Sequence, residues 1–240
     1  MRRAYEAVQS ALPRIPIIHI VGTNGKGTTG RFLAGMLREA GYKVGHYTSP
    51  HIVRFNERIW RDGRYITDDE LGSLHERALQ LLGGMTKELS YFEYTTFLAV
   101  LAFAECDYTV MEAGLGGEYD ATAVFPHMLS VITPIDYDHQ DFLGESIEAI
   151  AATKLRSVQR RAVIAPQPHP EVYEVAKSHG IYYVVVPKAD AKLQNSAKKR
   201  GSLPFLQTIS PQPPQRPRSL ESHPISKRLW ATACLHGCKE

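Results

Sequence analysis

The sequence predicts an α/β fold: a mostly parallel sheet with helices on both faces, followed by an irregular C-terminal tail. Three observations predict it. Short β-rich apolar runs alternate with helical patterns from about residue 15 to residue 186. The first run ends in a glycine-rich turn that opens a helix, Gly22-Thr23-Asn24-Gly25-Lys26-Gly27-Thr28. Beyond Asp190 the periodicity stops and prolines accumulate.

Taken in order, residues 1–14 read as a helix closing at Pro13. Residues 15–21 form a strand, and residues 26–40 a helix with Phe32, Leu33, Met36, Leu37 and Ala40 on one face, closed by Gly41. A second strand covers 43–47. The segment from Thr48 to Arg58 is polar but poor in glycine, which predicts an ordered loop. Residues 59–66 read as a hairpin around Asp62-Gly63, and Thr67 to Asp69 cap a helix to Leu82. Residues 92–105 are apolar on nearly every face, the pattern of a helix buried between layers. Strands follow at 107–112, 129–133, 162–165 and 181–186, with helices at 145–158 and 170–179. Such alternation implies a parallel sheet, whose ligands gather at the carboxyl ends of its strands.

The chain has 240 residues, 43% of them hydrophobic, enough for a sizeable core. A net charge of +3 implies no polyanion-binding surface, so no nucleic-acid partner is expected. No apolar run is long enough to span a bilayer, and Tyr5, Glu6, Gln9 and Ser10 interrupt any signal-peptide core after Arg2 and Arg3. A cytoplasmic, monomeric protein without a membrane partner is expected. Cys106, Cys234 and Cys238 make no disulfide framework; Cys234, His236 and Cys238 lack the second pair that a structural metal site needs.

The glycine-rich turn carries the chemistry. A helix N-terminus leaves backbone N–H groups unpaired and partly positive, so it attracts phosphate. Gly22, Gly25 and Gly27 let the backbone curl around an anion, Lys26 supplies a point charge, and the Thr28 hydroxyl reaches a bound Mg²⁺. The strict Walker spacing is not met, so a plain tight turn stands as the alternative. Other strand ends add Ser49, Glu112 and His139. Singly, each has a plainer reading: a turn residue before Pro50, a salt-bridged strand end, a helix cap. Their joint placement favours a site, with oxygen ligands suited to Mg²⁺. Lys154, alone on a helix, reads as a solvated surface charge.

Five segments in order resemble one family. His19-Ile20-Val21-Gly22-Thr23-Asn24-Gly25-Lys26-Gly27-Thr28-Thr29 resembles the phosphate loop of the folylpolyglutamate and dihydrofolate synthases, in the Mur ligase superfamily. Thr48-Ser49-Pro50-His51-Ile52-Val53-Arg54-Phe55-Asn56-Glu57-Arg58-Ile59 resembles the second signature. Tyr91-Phe92-Glu93-Tyr94-Thr95 resembles a folate-contacting helix start. Glu112 to Gly117 with Asp120-Ala121-Thr122 resembles the third signature, and Ile132-Thr133 with Asp138-His139 and Leu143-Gly144 the fourth.

The resemblance implies a Mur-ligase-like central domain over residues 1–190 and an amide ligase that uses ATP. ATP would phosphorylate a dihydropteroate or folate carboxylate, and the glutamate amine would displace the phosphate. It implies that Thr23, Asn24, Gly25, Lys26, Gly27 and Thr28 hold the ATP phosphates and that Ser49, Glu112 and His139 hold Mg²⁺. Lys154 matches a lysine that is carbamylated in the family. Ser90, Tyr91, Phe92, Glu93, Tyr119, Asp120 and Ala121 would contact the pterin-bearing substrate. The sequence departs from the family pattern at Glu118, usually arginine, at Ala123, usually asparagine, and at Leu155-Arg156-Ser157, usually Ala-Gly-Ile. The resemblance fades near Asp190. This predicts a domain that is incomplete, with residues 191–240 disordered or out of register after a frameshift or truncation. The competing expectations are therefore a folate-pathway ligase and an inactive remnant with weak nucleotide binding. A different phosphate-loop protein, such as a small kinase, fits the second and third signatures poorly.

Overall fold

The computed structural model describes residues 1–186. The expected tail and the Cys234, His236 and Cys238 trio lie outside the described residues. The elements are α1 (Arg2–Val8), β1 (Ile17–Val21), α2 (Lys26–Glu39), β2 (Val44–Tyr47), β3 (Ile59–Arg61), β4 (Arg64–Tyr65), α3 (Asp68–Leu82) and α4 (Tyr91–Ala102). They continue with β5 (Tyr108–Glu112), β6 (Leu129–Ile132), α5 (Gln140–Leu143), α6 (Ile147–Leu155), β7 (Arg161–Ile164), α7 (Glu171–Ser178) and β8 (Tyr182–Val185). The expected strands and helices are all present, shifted by a few residues at their ends.

Among the described residues, one sheet holds all the strands in the order β4-β3-β2-β5-β1-β6-β7-β8. The strands from β2 to β8 are parallel, and β3 and β4 continue the sheet antiparallel at one edge. β1 reads Ile-Ile-His-Ile-Val because both its faces are covered, and every one of its residues is buried. On one face Ile18 and Ile20 join Val44, Val110 and Leu129 beneath Leu33, Ala34 and Leu37 of α2. On the other, Ile17, Tyr47 and Met111 pack with Phe97 and Leu101 of α4. Further along that face, Val21, Ile132 and Ile164 meet Ile150 and Leu155 of α6 and Val172 and Ala176 of α7. α4 is buried from Thr95 through Ala102, as its all-round apolar pattern requires.

Helix starts follow their capping residues. Thr67 accepts from Glu70 N–H while Glu70 accepts from Thr67 N–H, a reciprocal pair worth about 1 kcal/mol. Ser90 and Glu93 repeat the arrangement at α4. The hairpin of β3 and β4 was legible locally; its membership of the main sheet, through Trp60 beside His46, depends on long-range pairing that no local pattern encodes. α5 and the 3-10 turns at Gly83–Glu88 and Ala121–Val124 were not expected, being too short for periodicity to show. The functional consequence lies in the strand order. β1 sits between β5 and β6, so the loops after β1, β2, β5 and β6 open on one edge.

Candidate functional site

The turn after β1 bends through Gly25, whose φ of 78° lies in the left-handed region, and α2 begins at Lys26. The first helical bond runs from Thr29 N–H to Gly25 O at 2.9 Å. The amides of Lys26, Gly27 and Thr28 precede it and have no helical acceptor, so they are the donors an anion meets. Thr23 and Asn24 use theirs differently: both donate to Pro134 O, at 2.9 and 3.2 Å. The Thr23 hydroxyl also donates to Asp136 O at 3.0 Å and accepts from Asp136 N–H at 3.1 Å. The turn is thereby tied to the loop after β6. Lys26 Nζ folds back on Thr23 O at 3.1 Å.

The loops after β2 and β5 meet at Glu112. Its Oε2 accepts the Thr48 hydroxyl, and Ser49 N–H at 3.2 Å. Of the two hydroxyls, Thr48 rather than Ser49 therefore touches the carboxylate. Thr48 carries the same hydroxyl beside the same strand end, and two adjacent hydroxyl residues do not reveal in sequence which of them turns toward Glu112. A Cβ at Gly27 would stand 3.2 Å from Thr48 Oγ1 and 3.3 Å from Glu112 Oε2, so the turn and the carboxylate are in near contact. Burial raises the Glu112 pKa, against the Thr48 and Ser49 hydrogen bonds and the charge of Lys26. Both hydrogen bonds go to Oε2. A hard cation would supply the counter-charge that this buried carboxylate lacks, so its oxygen donors fit Mg²⁺.

Lys154 overturns its reading as a surface charge. It is 2% exposed, and its Nζ donates to Gly22 O at 3.1 Å. Burial, with Lys26 nearby, lowers its pKa to about 8. A signal was available: on α6, Ile147, Ile150, Ala151, Lys154 and Leu155 are the buried residues, so the lysine occupies an apolar-stripe position.

His139 lies at the rim. Its side chain is 51% exposed, and Nε2 is 3.4 Å from Asp138 Oδ2. It holds the N-cap position of α5 at φ 50° without a side-chain cap bond, a conformation a bulky residue adopts at a cost. Among the described residues, no three His, Cys, Asp or Glu side chains converge on a metal position.

The residues expected to hold substrate fall into two groups. Tyr91 and Tyr119 are exposed, at 60% and 86%. Ser90 and Glu93 cap α4. Phe92 stacks on Tyr47 at 5.8 Å and packs against Gly114, so its ring is half in the core. Asp120 and Ala121 are buried. Asp120 accepts Gly114 N–H at 2.8 Å, Leu115 N–H at 2.9 Å, Thr122 N–H at 2.9 Å and the Thr122 hydroxyl, which occupies all four lone-pair directions of the carboxylate. It organises its own loop. The second signature is ordered by Glu57, which accepts Ile52, Val53 and Arg54 N–H at 2.8, 2.9 and 2.8 Å.

The arrangement matches known proteins. The family model for the Mur ligase middle domain matches residues 20–199. The dihydrofolate synthase/folylpolyglutamate synthase of Bacillus subtilis is 39% identical over 172 residues, covering 68% of this chain and 40% of the relative. The protein of the same description from Escherichia coli K12 is 37% identical over 169 residues, again 68% and 40%. The chain thus spans about two fifths of the length of these relatives. Among solved structures, Helicobacter pylori folylpolyglutamate synthetase superposes with a TM-score of 0.72 at 34% identity, over 100% of this chain and 58% of that one. E. coli FolC in complex with DHPP and ADP gives 0.68 at 32%, over 77% and 45%.

Proposed function

The chain belongs to the Mur ligase middle-domain family, and from that premise we propose that it forms the nucleotide-binding part of a ligase that uses ATP to join glutamate to dihydropteroate or a reduced folate. The observation that carries the proposal is the closeness of three groups at one sheet edge: the anion-seeking turn, the buried carboxylate of Glu112, and Lys154 bonded to the turn at 3.1 Å. A bare structural turn needs neither of the other two.

In this reading the Lys26, Gly27 and Thr28 amides and the Lys26 ammonium hold the ATP phosphates, with Thr23 and Asn24 fixing the turn through Pro134. Glu112, held by Thr48 and Ser49, and His139 at the rim would hold Mg²⁺, which would supply positive charge against that developing on the transferred phosphoryl group. The acyl phosphate forms when the folate carboxylate attacks the γ-phosphorus and ADP leaves; the glutamate nitrogen then attacks the acyl carbon and phosphate leaves. A lysine with a pKa lowered to about 8 is still mostly protonated near neutrality but holds a far larger neutral fraction than an ordinary lysine, and carbamylation of Lys154 would draw on that fraction. Tyr91 and Tyr119, both exposed, and the outer part of the Phe92 ring would offer aromatic faces to a pterin. Relatives that carry the names and the ADP complex support the reading.

Titration calorimetry with Mg-ATP tests it. Binding is expected for the wild type and loss of binding for Lys26→Ala; equal affinity in the two would sink the phosphate-site assignment. A ligation assay with glutamate and dihydropteroate or a reduced folate then separates a ligase from a module that only binds nucleotide.

A further inference from the structure

A histidine in the middle of a fully buried strand costs desolvation that a leucine would not. His19 is that residue, 0% exposed between Ile18 and Ile20. Its Nε2 lies 2.8 Å from Thr122 Oγ1. The Thr122 hydroxyl has one proton, and it donates that proton to the Asp120 carboxylate. Thr122 therefore accepts from His19, which fixes the imidazole as the Nε2–H tautomer. The other ring nitrogen, Nδ1, is buried without a partner, and the His19 ring lies beside the imidazole of His127, ring centroids 4.8 Å apart. A bare lone pair there is less costly than an unsatisfied N–H.

Asp120 passes the constraint on. It holds Gly114 and Leu115 N–H at 2.8 and 2.9 Å, and the loop they begin closes on α6. A Cβ at Gly117 would stand 2.8 Å from Lys154 O, and Glu118 N–H donates to Thr153 O at 3.0 Å. Lys154 Nζ then returns to Gly22 O at 3.1 Å. Gly22 directly follows Val21, the last residue of the strand that carries His19. The hydrogen bonds and packing contacts close a ring through β1, the phosphate turn, α6 and the glycine loop.

We propose that His19 is a positioning residue for the phosphate site: its Nε2–H, acting through Thr122 and Asp120, sets the 114–117 loop and with it the register in which α6 presents Lys154 to the turn. His19 is fully buried, so it would act on a bound ligand only through these residues. The proposal deepens the ligase reading and rests on that reading only for its consequence in nucleotide binding.

Two measurements on the whole 240-residue chain test it. In ¹⁵N-histidine NMR at pH 7, the His19 ring is expected to show the Nε2–H tautomer, and Thr122→Val to shift its ring signals. In amide hydrogen exchange, His19→Ala is expected to speed exchange about tenfold at Gly114, Leu115 and Glu118, with Val131 and Val163 unchanged. His19→Gln, which keeps a side-chain donor, is expected to recover most of the protection. If His19→Ala does not fold, Thr122→Val, which preserves shape, is expected to give the same confined loss. An Nδ1–H tautomer, exchange that rises equally across the sheet, or no change at Gly114 and Leu115 would overturn the proposal. Mg-ATP affinity is expected to fall about tenfold in the same variant that loses loop protection. Should Lys26→Ala bind Mg-ATP like the wild type, the phosphate-site reading fails, and the exchange result alone decides the role of His19.

Discussion

Arg156 Nε donates to a Glu118 carboxylate oxygen at 2.5 Å, across the gap between α6 and the glycine loop. Both residues stand where the folate ligase pattern reads otherwise: arginine is usual after the paired glycines, and glycine in the second place after the lysine. A charge reversal at Glu118, taken alone, places an acid where the pattern carries a base. Paired with Arg156, it is neutralised locally, and the two departures amount to one. The pair also clamps the loop to α6 alongside the Glu118 N–H to Thr153 O bond.

Glu118→Arg is therefore expected to destabilise, because it sets two arginines together; the cost should be about 1 kcal/mol for this half-exposed pair. The exchange Glu118→Arg with Arg156→Glu should recover most of it. Urea denaturation of the single and double variants gives the coupling energy. A coupling near zero would mean that the contact is incidental.

Lys154 gives a prediction in pH. Burial and Lys26 lower its folded-state pKa from 10.5 to about 8. Between those values the unfolded chain holds the proton and the folded chain does not, so stability supplied by this group rises with pH through that window. Below about pH 8 both states are protonated and the dependence vanishes. Comparing urea midpoints of the wild type and Lys154→Met at pH 7.5 and 9.5 isolates the effect. The wild type should gain on the variant at the higher pH; parallel curves would show that the amine is not held in a desolvating site.

Lys154 also shows where sequence reading stops. The strands and helices were legible because buried strands are continuous apolar runs and helices repeat at their own period, as in β1 and in α2 with Leu33 and Leu37. The turn at Gly25 was legible because few sequences place three glycines and a lysine between a strand and a helix. The letters do not record how deep a polar group lies. Lys154 and Asp120 each looked like an ordinary surface residue or ligand contact, yet both are buried, Lys154 bonded to backbone of the turn after β1 and Asp120 to backbone of its own loop. The partner of His19, Thr122, is 103 residues away in the chain, and only the sheet brings the two together.

Glu112 should behave as a carboxylate that matters through its charge. Its pKa is raised by burial, so protonation removes the charge at a higher pH than for a surface acid. Glu112→Gln keeps an acceptor for Thr48 but no negative charge. The Mg²⁺ dependence of ATP binding is expected to weaken by a factor of about 10–100 in this variant, with metal-free ATP binding little changed. In the wild type, Mg²⁺-dependent binding should decline as pH falls, and that decline should be absent in Glu112→Gln. An equal loss with and without Mg²⁺ would place Glu112 outside the metal site.

His46 supplies an acid limit to the fold that is independent of any ligand. It lies buried in β2, with neither ring nitrogen hydrogen-bonded, and Gly30 leaves just enough room for its ring: a Cβ there would be 2.5 Å from Nε2. Burial, helped by the charge of Arg31, drives its pKa down to about 3 from 6.5. Between those values the unfolded chain binds a proton that the folded chain refuses. Stability from this group is thus complete above pH 6.5 and is lost as pH falls toward 3. His46→Leu removes the titrating ring and keeps an apolar filler. Its urea midpoint should fall less than that of the wild type between pH 7 and pH 5. The same acid slope in both proteins would show that other groups, with the buried imidazoles of His19 and His127 first among them, set the limit.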